Sequence, residues 1–219
     1  MIIPKRFPWR LISPGTIKAT FIHIPKCGGT YLERMFTPYI QGCPTRTLKA
    51  AQGHLTLQEY QQVFSAHSVS FSPVDCFSVV RNPWAWHVSW FNYIKQDVDG
   101  KSGHQIEHEL FQAFEFRDYL QWLIDPNAER GPQGYIQRQL SDWLIDEREQ
   151  LVVPTVFRQE TLQTDIQAFS TLHRLKVKAT AIRLNTSSSR SFREYYDREG
   201  AEIIRKRHER DISLFGYEF

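Results

Sequence analysis

The chain has 219 residues, of which 41% are hydrophobic and 14% aromatic, so it can bury one sizeable core as a single domain over residues 1–219, with residues 1–16 as an N-terminal extension. Charged residues make up 23% and the formal net charge is only +3, which argues against a nucleic-acid-wrapping protein. Three widely spaced cysteines and the lack of a long apolar run predict no disulfide framework, no metal site, no membrane span and a cytoplasmic location.

The first predicted elements form a strand, a loop and a helix. Residues 19–24 combine β-branched and aromatic side chains and stop at Pro25, which predicts a buried strand. Gly28 and Gly29 then indicate a loop, and the pattern over 30–36 predicts a short helix.

A second helix, a second buried strand and a third helix follow. Thr56 with Glu59 three residues later has the form of a capping box, which predicts a helix through about Phe64. The apolar run 74–80 predicts the strand, and Pro83 suits the first turn of a helix through about residue 96. Arg81 therefore lies where a strand passes into a helix.

The rest of the chain predicts helices over 107–124 and, more weakly, 135–144, and then a strand over 151–157 with an edge position or irregularity at Pro154. Two further helices are predicted over 162–172 and 196–212.

This alternation of strands and helices predicts a doubly wound parallel α/β sheet flanked by helices. Ligands of such sheets bind beyond the carboxyl ends of the strands, where both the glycine loop and Arg81 fall.

The glycine loop has the composition of a phosphate-binding loop. Glycines allow backbone N–H groups to approach a phosphate, and the following helix directs its positive end to the same anion. Lys26 adds a mobile positive charge, but it precedes the glycines. The ATP-binding loop instead places its lysine after the last glycine, followed by a Ser or Thr that binds magnesium, so ATP-dependent phosphoryl transfer is disfavoured.

Two segments resemble one known enzyme family. Residues 21–30 (Phe-Ile-His-Ile-Pro-Lys-Cys-Gly-Gly-Thr) are similar, almost letter for letter, to the 5′-phosphosulfate-binding loop of sulfotransferases of the carbohydrate 2-O-sulfotransferase type. Residues 76–89 resemble the 3′-phosphate-binding segment of the same family. Residues 157–162 and 211–219 resemble its later motifs, while the resemblance is weak over about 97–150, which we expect to contribute to the acceptor site.

The resemblance implies a P-loop nucleotide-kinase-like fold and the donor 3′-phosphoadenosine 5′-phosphosulfate (PAPS), whose desulfated product is PAP. It also implies that Arg81 and Ser89 bind the 3′-phosphate and that Arg190, in the polar loop 186–190, contacts the nucleotide. Lys26 is suited to neutralise charge on the departing phosphate. The expected donor-binding residues are Lys26, Cys27, Gly28, Gly29, Thr30, Tyr31, Arg81, Ser89 and Arg190.

Sulfuryl transfer also needs a base for the acceptor hydroxyl, and histidine is suited to it at neutral pH. His54, in a Gly-His segment similar to one that carries the base in heparan sulfate 2-O-sulfotransferases, is the first candidate. His23 is the second, although a histidine inside a strand is more often packed in the core. We expect a structural role for His87. The tryptophans at 84, 86 and 90 follow a helical spacing, and we expect those on at least one face of this helix to pack in the core.

The sequence therefore predicts a PAPS-dependent sulfotransferase that acts on a carbohydrate or another small hydroxyl compound. A nucleotide kinase and a non-catalytic nucleotide- or glycan-binding descendant are the alternatives. A kinase would need an acidic magnesium ligand at a strand end, and Asp75 lies at a strand start.

Overall fold

The computed structural model describes residues 11–13, 16–17, 19–36, 48–97, 103–175 and 191–219. In chain order, their strands and α-helices are β1 (Leu11–Ser13), β2 (Thr16–Ile17), β3 (Thr20–Ile22), α1 (Gly29–Phe36), α2 (Leu57–Ala66), β4 (Cys76–Val80), α3 (Pro83–Lys95), α4 (Gln105–Ala113), α5 (Phe116–Ile124), β5 (Thr155–Arg158), α6 (Leu162–Leu172), α7 (Arg198–Arg207) and α8 (Glu209–Phe215). Residue contacts group them into two compact units, one within residues 1–81 and 140–184 and the other within 82–139 and 185–219.

The first unit contains a parallel sheet of three strands in the order β3, β4, β5. Ile22 pairs with Ser78, and Val80 pairs with Arg158. The carboxyl ends of the three parallel strands therefore lie at the same end of the sheet. The Ser78 hydroxyl donates to the Ile22 carbonyl at 2.7 Å, which ties the first two strands together across the buried ladder. The predicted parallel α/β arrangement is confirmed. Within the described strands the order follows the chain, so the order reversal that defines a doubly wound sheet stays a prediction.

Aromatic side chains join the helices of this unit to its sheet. Phe36 at the end of α1 contacts Phe77 of β4 and Phe157 of β5, with ring centroids 5.6 and 6.2 Å apart. Phe169 of α6 packs edge-on against Phe36 and Phe157. All four rings are buried, and they hold α1, which follows the glycine loop, against the strands.

Most elements of the first unit match the sequence-based predictions. Thr56 and Glu59 form the predicted capping box, in which Thr56 N–H donates to the Glu59 carboxylate at 2.6 Å. The second strand begins at Cys76 rather than at residue 74, because residues 73–75 form a 3₁₀ turn with Pro73 in its first position. The strand predicted over 151–157 is confirmed only from Thr155 onward. It is the outer strand in the described order β3, β4, β5, which agrees with the edge position that Pro154 indicated.

The second unit is built around α3. Asn82 caps this helix by accepting hydrogen bonds from the N–H groups of Trp84 and Ala85, and Pro83 occupies its first turn as predicted. Trp84, Trp86 and Trp90 are all buried, which confirms their expected place in the core.

Three helices predicted after α3 differ in the structure. The helix predicted over 107–124 is two helices, because Glu115 and Asp118 form a capping box that starts α5 anew. The helix predicted over 135–144 is wrong: two 3₁₀ turns occupy it, and Arg138 between them has extended backbone. The last predicted helix breaks at His208, whose backbone leaves the helical region.

Candidate active site

The loop between β3 and α1 has an unusual backbone. Residues 25–28 form turns, and both Lys26 (φ 63°) and Gly28 (φ 85°) adopt left-handed conformations. Glycine adopts this conformation without steric cost, whereas a lysine there is strained by about 1 kcal/mol. Strain of this kind persists where the surrounding structure imposes it, often at functional sites.

The loop leads directly into the positive end of α1. The N–H groups of Tyr31 and Leu32 donate to the Gly28 carbonyl at 3.1 and 3.4 Å. Gly29 and Thr30 are the first two residues of the helix, so their N–H groups have no acceptor within it. Together with the helix dipole, these groups form an arrangement suited to a phosphate or sulfate group.

Arg81 supports this loop from the end of the neighbouring strand. Its Nη1 atom donates to the carbonyl oxygen of Lys26 at 3.1 Å. The pKa of Lys26 is lowered from 10.5 to about 8, first by burial and then by the Arg81 charge, with Cys27 opposing the shift. Two cationic side chains and a helix N-terminus thus converge here, and a bound anion would relieve their repulsion.

Gly28 and Gly29 are required for different reasons. Gly28 serves the left-handed turn, but Gly29 begins the helix and has no positive φ. A Cβ atom at Gly29 would lie 2.2 Å from Cδ2 and 2.3 Å from Nε2 of His23. The second glycine therefore makes room for the imidazole ring of His23, a relation that the sequence did not reveal.

His54 lies directly beside His23. Its Nδ1 atom is 2.8 Å from the carbonyl oxygen of His23, and Trp143 Nε1 donates to the carbonyl of His54 itself at 3.4 Å. A carbonyl oxygen only accepts hydrogen bonds, so Nδ1 of His54 carries the proton. In the neutral ring the lone pair is then on Nε2, which is the atom able to accept a proton.

His23 is poorly suited to act as the base. Burial, and secondarily the neighbouring His54, lower the pKa of His23 to about 3. A group with this pKa has little driving force to take a proton from a hydroxyl at neutral pH.

The family model for the sulfotransferase family matches residues 9–218. The chain belongs to the sulfotransferase family. Membership makes it a transferase that uses PAPS as the sulfuryl donor. The match does not distinguish the 2-O type from other members. No curated protein and no solved structure gives a significant match to the chain.

Three predicted donor-binding residues of this sulfotransferase lie outside the loop, and Arg81, which follows β4, is described above. Ser89 is on α3 in the second unit and is only 8% exposed. Arg190 lies outside the described residues.

Among the helices that the structure describes, none is long and apolar enough to span a membrane.

The second unit of the sulfotransferase also contains a buried polar chain that the sequence did not reveal. The Asp211 carboxylate accepts a hydrogen bond from His208 Nδ1 at 2.7 Å, and His208 Nε2 is 2.8 Å from His87 Nε2. His87 Nδ1 in turn bonds to the Tyr119 hydroxyl. All four side chains are fully buried.

One arrangement of protons satisfies all three hydrogen bonds among these four side chains with both histidines neutral. Tyr119 donates to His87, His87 donates to His208, and His208 donates to Asp211. The lowered pKa of His87, caused first by burial and then by His208 and Arg207, agrees with a neutral ring. His87 is therefore a structural residue, as expected.

Proposed function

We propose that this sulfotransferase binds PAPS through residues 25–31 with Arg81 and Ser89, and transfers the sulfuryl group to a hydroxyl of a carbohydrate or another small acceptor. The observation that carries the proposal is that three features meet at one loop. Lys26 has a strained left-handed backbone, Arg81 donates a hydrogen bond to the Lys26 carbonyl, and α1 begins at the end of the loop. This loop follows a parallel strand, where ligands of α/β sheets bind.

The donor-side chemistry belongs to Lys26 and the loop amides. In the transfer, the acceptor oxygen forms a bond to sulfur while the bond from sulfur to the bridging phosphate oxygen breaks, and PAP leaves with the additional negative charge. Lys26, whose pKa is lowered by burial and by the Arg81 charge, is stabilised in its ammonium form by this additional negative charge. The N–H groups of residues 28–30 and the hydroxyl of Thr30, an exposed residue at the helix start, hold the 5′-phosphate. The Tyr31 N–H, which the sequence also suggested for this role, is bonded to the Gly28 carbonyl instead.

The acceptor-side chemistry belongs to His54. The hydrogen bond of its Nδ1 to the His23 carbonyl keeps the lone pair on Nε2, which accepts the proton of the acceptor hydroxyl. The resemblance of the loop and of the Gly53-His54 segment to the carbohydrate 2-O-sulfotransferases favours a sugar hydroxyl as the acceptor.

Calorimetric titration of PAP into the wild-type protein, without magnesium and with ATP as the comparison ligand, tests the donor site. Binding that prefers PAP and weakens in Ser89→Ala supports the proposal. Ser89→Ala is the cleaner variant, since Arg81→Ala would also remove the bond that supports Lys26. Absence of PAP binding, or a preference for magnesium-ATP, refutes the donor-site assignment.

An acceptor screen with labelled PAPS then tests the base. In His54→Gln, transfer should fall by at least about a hundredfold while the dissociation constant of PAP stays unchanged, because general-base catalysis contributes about that much. His67→Gln, which changes an exposed histidine at the end of α2, is the matched control. Undiminished transfer in His54→Gln contradicts the base assignment, and PAP binding by a wild type that transfers to no acceptor favours a non-catalytic descendant.

A further inference from the structure

The His23 side chain contacts both the proposed phosphate-binding loop and the proposed base. Its ring is so close to Gly29 that a Cβ atom there would overlap it, at 2.2 Å from Cδ2. The ring also meets that of His54 edge-on, with centroids 4.5 Å apart and planes at 76°. The same imidazole therefore touches both halves of the proposed machinery.

The ring of His23 has little room to move. Phe21 lies against it with ring centroids 5.3 Å apart, and the carboxylate of Glu33 on α1 is 3.7 Å from its Nδ1 atom. Its side chain is only 18% exposed. Close packing on this scale transmits a displacement of one group to the next, because interiors contain few voids to absorb it.

Two contacts from His23 act on the His54 ring. The hydrogen bond from His54 Nδ1 to the His23 carbonyl fixes which nitrogen carries the proton. The edge of the His23 ring limits the orientations that the His54 imidazole can take about that bond. The bond from Trp143 holds the backbone of His54 rather than its ring, so it does not replace that support.

We propose that His23 is a positioning residue, whose side chain sets the orientation of His54 relative to the loop that holds the phosphosulfate. The inference rests on the proposed function, and it assigns to His23 neither proton transfer nor contact with the substrate. Its lowered pKa agrees with this role, because a ring that stays uncharged near neutral pH does not repel a protonated His54.

The experiment is a double-mutant cycle at His23 and Gly29. His23→Ala removes the support, and it should lower kcat about tenfold to a hundredfold while the dissociation constant of PAP changes less than about threefold. Gly29→Ala should lower kcat comparably, because its new methyl group displaces the ring. In the double variant the methyl group enters the space left by the ring, so its kcat should stay near that of His23→Ala.

Three results overturn the inference: unchanged kcat in His23→Ala, effects of the two substitutions that multiply, or loss of PAP binding in His23→Ala. The last would mean that His23 supports the loop itself. His23→Gln, which keeps most of the side-chain volume, is measured in parallel in case His23→Ala does not fold. It should also lower kcat with PAP binding unchanged, because a flexible amide replaces the rigid ring against His54, and an unchanged kcat or a loss of PAP binding in His23→Gln overturns the inference.

Failure of this inference is distinguishable from failure of the proposed function. If His54→Gln retains transfer, the base assignment is wrong and His23 cannot act through it. If His54→Gln loses transfer while both His23 variants keep the wild-type kcat, only the positioning role is refuted.

Discussion

Raising the pH from 7 to 9 should weaken the binding of PAP through a single side chain, Lys26. Its pKa of about 8 in the free protein, against an ordinary 10.5, means that about nine-tenths of the molecules have lost this charge at pH 9. A bound phosphate favours the ammonium form and restores the ordinary value. The dissociation constant should therefore rise about tenfold, or about 1.4 kcal/mol, between these pH values.

Calorimetric titration of PAP at pH 7, 8 and 9, in two buffers with different enthalpies of ionisation, measures both the affinity and the protons taken up. Phosphate monoesters, whose second pKa is about 6, are about nine-tenths doubly ionised at pH 7 and fully so at pH 9. At pH 9 the proton uptake therefore reports Lys26 and should approach about 0.9 proton per PAP bound. At pH 7 Lys26 takes up only about 0.1 proton, which protons released by the phosphates of PAP offset, so the net uptake should be near zero.

Lys26→Arg is the matched control, because a guanidinium keeps its charge throughout this range. Its affinity for PAP should be independent of pH. A wild-type affinity that does not change with pH, or an equal dependence in Lys26→Arg, would refute the argument that Lys26 carries the charge for the phosphate.

Three further predictions concern stability. Tyr119→Phe leaves the buried Nδ1 of His87 without its donor and should lower the free energy of unfolding by about 1–3 kcal/mol in urea denaturation, a loss that an unchanged midpoint would contradict. Burial lowers the pKa values of both His87 and His23 in the folded state, so the stability that their neutral rings contribute is present above the unfolded pKa of about 6.5 and is lost as the pH falls below it. Each ring should cost about 1.4 kcal/mol at pH 5.5 in urea denaturation, and a pH-independent stability would refute this. Thr56→Ala removes the cap of α2 and should lower the free energy of unfolding by about 1 kcal/mol in the same assay. The control Thr164→Ala, at an exposed position of α6, should not lower it, and equal effects of the two substitutions would refute the capping role.

Several elements could be predicted from the sequence because their signals are local. The strand before Pro25, the capping box of Thr56 and Glu59, and the helix that starts at Pro83 each depend on residues within one turn or one strand. The glycine loop that we propose for donor binding could be identified for the same reason, since its residues are consecutive.

Helix ends and interruptions were less predictable, because local preferences compete there. Residues 135–144 have weak helical periodicity, yet the extended backbone of Arg138 separates two short turns. The last helix breaks at His208, where the side chain bonds to Asp211 and His87 in the core. The second contact spans 121 residues of sequence, so no local pattern contains it.

What the sequence by itself determined is the sulfotransferase family and the loop with Lys26 and two glycines that follows a strand. What only the tertiary structure decided is how the parts of this site depend on one another. Gly29 is small because a ring from the preceding strand packs on it, and the lone pair of His54 is on Nε2 because a carbonyl 31 residues away accepts its Nδ1 proton. Both constraints are contacts between residues that are apart in the sequence. Such contacts depend on the folded positions of those residues, which no local sequence pattern contains.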